Sequence, residues 1–164
     1  MLSLVIPIVL NARATIDATL AIMSNTPRLI ITAEGLAVDA ISAYGSSWNQ
    51  TATMDRLASR STVFHRAIVE EDDPLCVPRK IIDAVSASEL AVTLVTDQPD
   101  LCAYADDLDE LVNFKLPYDP SVAPMDRIEE SHLGLLFAAF QEAIDRKADL
   151  PNQVIWLHTQ SLHR

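Results

Sequence analysis

The chain predicts an α/β fold, a three-layer α/β/α sandwich around a mostly parallel sheet. Three observations carry that expectation. Short runs rich in β-branched residues alternate along the chain with stretches of three- and four-residue apolar spacing. Clusters of Asp, Asn, Pro and Gly separate them. The 164 residues, 49% of them apolar, suffice for one domain over residues 1–164 with a real core.

Taken in order, Leu2 to Leu10 contains Val5, Ile6, Ile8 and Val9 and reads as a buried strand that Pro7 bends or places at an edge. Ala14 to Met23 has helical spacing and stops at Ser24-Asn25-Thr26-Pro27. Leu29 to Thr32 is a second strand, with Glu34-Gly35 directly at its carboxyl end. In open parallel sheets that end is where ligands bind. Leu36 to Ala43 reads as a short helix or helical turn closed by Tyr44-Gly45-Ser46-Ser47. Thr51 is placed to cap a helix whose Met54, Leu57 and Ala58 share one face.

Thr62 to Phe64 returns as a strand, extended by Ala67 to Val69, before the acidic loop of Glu70 to Asp73. Pro78 sits in the first turn of a helix that turns Ile81, Ile82 and Val85 inward. Ala91 to Thr96 (AVTLVT) is a clear buried strand, ended by Asp97-Gln98-Pro99-Asp100, and Leu111 to Phe114 is a shorter one. A proline-bearing loop from Lys115 to Met125 leads to the strongest helix, Asp126 to Lys147. There Leu133, Leu136, Phe137, Phe140 and Ile144 repeat at three and four, and Asp126 is the expected cap. Val154 to Leu157 is the last strand. Right-handed crossovers between parallel strands then place helices on both faces.

Asp and Glu number 23 against 12 Lys and Arg, a formal net charge of −11. That balance argues against nucleic acid as a partner, because neutralising phosphates needs clustered Lys and Arg. It leaves room for a small anion at one local basic site. Two cysteines, Cys76 and Cys102, are too few for a disulfide framework, with a single bridge left open. The run Leu2 to Leu10 is too short to span a bilayer as a helix and lacks a basic segment before it. No membrane span is expected, and the absence of a clear signal peptide favours a cytoplasmic location. His65 and His132 read as surface residues.

Three pieces of the sequence form a pattern. LIITAEGLAVDAISAYG, followed by TATMDRLASRSTVFHRAI, supplies a strand, an acidic turn, Tyr44-Gly45, then Thr51 and Asp55-Arg56-Leu57-Ala58. PLCVPRK, Pro74 to Lys80, has a cysteine two residues before a proline and a cation two residues after that. VIWLHTQSLH, Val154 to His163, is a strand running into a histidine. In this order and spacing they resemble the sulfatase family of the alkaline-phosphatase-like superfamily. The resemblance spreads over most of Leu29 to Arg164 and matches the N-terminal part of that family's hydrolase domain.

The resemblance implies hydrolysis of a small sulfate ester. Cys76 would be oxidised to formylglycine, whose hydrate supplies the nucleophilic oxygen beside a calcium ion. Glu34 would be a calcium ligand, since a hard ion gathers several oxygens. Lys80 and His163 would contact the sulfate, with Arg79 and His158 as further substrate-binding groups. Asp39 falls where the family is often acidic. The chain departs from the pattern at Gly35, where many members carry a second acid. It departs again at Lys80, where the signature has arginine and its bidentate fork. The family's further metal ligands, an Asp followed by Asn or His, come from strands beyond this point.

The expected function is therefore a sulfatase-like hydrolase, incomplete as this chain and inactive or nearly so by itself. The alternative is a non-catalytic α/β binding or scaffold module that kept the fold. A phosphatase of the wider superfamily would use Ser or Thr as nucleophile, which Pro74-Leu75-Cys76-Val77-Pro78 argues against. A sheet incomplete relative to the family exposes an edge, and with it a route to self-association.

Overall fold

The computed structural model describes residues 3–4, 28–63, 73, 75–115 and 127–160. Among the described residues, five strands join in one sheet: β1 (Ser3–Leu4), β2 (Arg28–Ala33), β3 (Ala91–Thr96), β4 (Glu110–Asn113) and β5 (Gln153–Thr159). Their order is β1-β2-β5-β3-β4, and every pairing is parallel. The fold is thus α/β with a parallel sheet, as the alternation of apolar runs predicts. The last strand inserts at the centre, where it pairs Ile30 with Trp156 on one side and Leu94 with Trp156 on the other.

Among the described residues, three α-helices accompany the strands: α1 (Ala52–Ala58), α2 (Cys76–Ser86) and α3 (His132–Lys147). The central strands are apolar on both sides, so their alternate residues enter two separate cores. Ile30, Val92, Leu94, Val154 and Trp156 pack with Ile81, Ile82 and Val85 of α2 and with Leu101. Leu29, Val95, Ile155 and Leu157 pack with Leu136, Phe140 and Ala143 of α3. Each fully buried side chain of this size contributes about 1.5–3 kcal/mol. The helix α3 runs antiparallel to the strands. The first turn of α3 reaches Asp97 just past β3, while its last turn holds Glu110 at the start of β4, through Arg146 at 2.7 Å and Lys147 at 3.2 Å.

Several local expectations need correction. The long helix begins at His132 rather than Asp126, and its N-cap is Ser131, whose Oγ accepts from the Gly134 amide at 3.0 Å. A 3-10 turn, Ile128–Glu130, precedes it, and Ile128 is exposed instead of continuing the apolar face. Thr51 precedes α1 but makes no side-chain cap. Its hydroxyl takes the Ser42 amide at 3.0 Å and meets Ser42 Oγ, which also donates to Asp55 at 2.7 and 2.8 Å. The short helix before Tyr44 is two 3-10 turns, Val38–Ala40 and Ser42–Tyr44, closed by Gly45 at φ 98°. Thr62 and Val63 form no strand.

The helix expected over Ala14 to Met23, most of the run Leu2 to Leu10, Phe64 and the extension Ala67 to Val69 lie outside the described residues, as do His65 and His163. No described helix is long and apolar enough to cross a membrane.

Candidate functional site at the carboxyl edge of the sheet

The carboxyl ends of β2, β5 and β3 stand side by side, and polar residues close or directly follow each. Glu34 follows β2, Asp97 follows β3, and β5 closes with His158-Thr159. Parallel pairing carries this row outward past the apolar core, and the Glu34 amide continues the ladder to the Thr159 carbonyl at 2.8 Å.

Two hydrogen-bonded chains result. In the first, Trp156 Nε1 donates to Thr32 Oγ1 at 2.8 Å, Thr32 Oγ1 lies 2.8 Å from His158 Nδ1, and His158 Nε2 lies 3.2 Å from Glu34 Oε1. Indole nitrogen is a donor only, so Thr32 must accept from it. The threonine proton then goes to His158 Nδ1 in preference to the Leu157 carbonyl at 3.4 Å. That assigns the remaining ring proton to Nε2, which donates to Glu34. His158 is 1% exposed, and burial pushes its imidazole down to about 4, with the charge of Asp97 pulling the other way. It is neutral at pH 7, so its contact with Glu34 is a hydrogen bond and not an ion pair.

The second chain centres on Asp97, whose side chain is 2% exposed. Its Oδ2 accepts from Thr159 Oγ1 at 3.0 Å and meets His132 Nε2 at 2.9 Å, and its Oδ1 accepts from the Gln160 amide at 2.9 Å. Gln160 Nε2 returns to the Asp97 carbonyl at 3.1 Å. A buried carboxylate needs such donors to remain an acceptor.

The residues expected from the sequence are distributed as follows. Glu34 and His158 do come together, at the end of β2 and β5. Cys76 opens α2 and is buried. Arg79 is exposed, and its guanidinium is engaged by Asp73 at 2.6 Å and by the Tyr104 hydroxyl at 3.0 Å. Lys80 is half-buried on α2, and Asp39 is exposed. His163 falls outside the described residues. Asp97 and His132 belong to the cluster although Asp97 reads in sequence as a strand stop and His132 as surface. The signal for Asp97 was available: like Glu34, it is an acid directly at the carboxyl end of a clear parallel strand.

Calcium binds through six to eight oxygens. Among the described residues no three His, Cys, Asp or Glu side chains converge to hold a metal ion. Glu34 Oε1 is hydrogen-bonded to His158, and Asp97 receives three donors.

No protein-family description, curated protein or solved structure matches this chain.

Proposed function

We propose that this chain is a sulfatase-like unit, the N-terminal portion of a three-layer α/β/α hydrolase domain, with no turnover of its own. The parent chemistry in this reading is hydrolysis of a small sulfate ester by a formylglycine made from Cys76. The observation that supports it is Cys76, buried at the first residue of α2, between Pro74 and Pro78 of the sequence pattern. Two cores that use alternate residues of the same strands support the layered fold. Calcium enters as the ion this chemistry calls for, with Glu34 as one ligand and the others supplied from outside the described residues. Lys80 and His163 would contact the sulfate, and Arg79 would serve there only after leaving Asp73.

One observation favours a second reading, a non-catalytic scaffold. Glu34, His158, Thr32 and Trp156 are tied into one hydrogen-bonded chain that holds Glu34 Oε1 on a buried imidazole. Mass spectrometry of the peptide containing Cys76, made alongside an active formylglycine-generating enzyme, separates the two. Conversion of the thiol to the aldehyde is expected for the hydrolase lineage. An unmodified Cys76 would leave the scaffold.

A further inference from the structure

His132 occupies the first position of α3, yet its strongest partner comes from another element. Its Nε2 lies 2.9 Å from Oδ2 of the buried Asp97. Asp97 also receives Thr159 Oγ1 and the Gln160 amide, so its orientation is held from the end of β5. Phe114 packs edge-on against the imidazole, with ring centroids 5.2 Å apart and planes at 73°. The ring is thus fixed both by hydrogen bonding and by packing.

A carboxylate is an acceptor, so the imidazole must present Nε2–H to it. The lone pair is then on Nδ1. The side chain is 25% exposed, and Nδ1 is not among the buried atoms lacking a partner. No described residue hydrogen-bonds to it. His158, by contrast, is sealed from solvent and has both ring nitrogens engaged, by Thr32 and Glu34.

We propose that Asp97 and His132 form an acid–base pair at the carboxyl edge, in which His132 Nδ1 accepts a proton from a hydroxyl-bearing ligand, water or an alcohol, and Asp97 positions the ring. The oxygen–hydrogen bond breaks, the proton passes to Nδ1, and the electron pair stays on the ligand oxygen. Asp97 keeps its negative charge and balances the imidazolium so formed. This proposal does not depend on the sulfate-ester reading and involves neither Cys76 nor Glu34.

The alternative is that Asp97 merely ties the start of α3 to the sheet. Reactivity separates the two, because a tether leaves no activated nitrogen. The whole chain is treated with diethyl pyrocarbonate at neutral pH, and each histidine is followed by peptide mass mapping. His132 is expected to react well ahead of His158. Asp97→Asn should slow modification of His132 by about tenfold or more, because the carboxylate no longer takes up positive charge. An unchanged rate in a folded Asp97→Asn protein would overturn the proposal. Should that variant not fold, long-range proton–nitrogen spectra of the unaltered chain decide instead. The Nε2–H tautomer of His132 is expected, and the Nδ1–H tautomer would overturn it.

Discussion

His158 Nε2 and Glu34 Oε1 stand 3.2 Å apart as donor and acceptor, with the imidazole neutral. Burial holds the imidazole neutral down to about pH 4, whereas in the unfolded chain it takes up a proton near the ordinary histidine value of 6.5. The unfolded state therefore binds more protons as the pH falls between these values. The contribution is fully present above about pH 6.5 and is lost on acidification, by about 3 kcal/mol near pH 4. Urea unfolding at a series of pH values should show this loss in the unaltered chain and not in His158→Gln. Parallel pH profiles for the two would contradict it.

Thr32 is the link that gives the chain of hydrogen bonds its direction. Thr32→Val preserves shape but removes the acceptor for Trp156 Nε1 and the donor to His158 Nδ1. Two buried polar atoms then lose partners, at roughly 1–3 kcal/mol each. Thr32→Ser keeps the hydroxyl and should cost much less. Equal unfolding free energies for the Val and Ser variants would show that the hydroxyl is not what matters.

Gly134 lies in the first turns of α3, where alanine would ordinarily stabilise a helix by about 1 kcal/mol. Here an added Cβ would meet the Ile128 carbonyl oxygen and come within 2.9 Å of Glu129 Cα and O, all of them backbone. Backbone cannot swing aside as a side chain can, so the sign reverses. Gly134→Ala should lower the unfolding free energy by about 1–3 kcal/mol. A higher melting temperature in Gly134→Ala would contradict the close packing of the 3-10 turn on the helix.

The strands were legible because burial on both faces leaves little else to read. AVTLVT and the run from Val154 to Leu157 are continuous, β-branched and bounded by polar residues, and they became β3 and β5. Pairing order was not legible. Nothing local says that the last strand enters between β2 and β3, since that depends on where α3 can bury Leu136 and Phe140. Helix starts shifted because several residues could cap. Ser131 serves α3 in place of Asp126, and Thr51 spends its hydroxyl on Ser42.

The site divides in the same way. Glu34 was visible from one strand end, and Cys76 from its prolines. Asp97 and His132 lie 35 positions apart and meet only after the sheet forms. His158 looked like a binding residue by resemblance, but β5 turns it inward to Thr32 and Glu34, where it is shut off from solvent. Strand alternation decides that, and a short apolar run does not reveal which face a histidine takes.

The most direct test of the central claim is hydrolysis of 4-nitrophenyl sulfate by this chain, produced with a formylglycine-generating enzyme and supplied with calcium. The expected result is release of nitrophenol no faster than from Cys76→Ala. Turnover in the unaltered chain that disappears in Cys76→Ala would contradict the account, because the site would then be complete within these 164 residues.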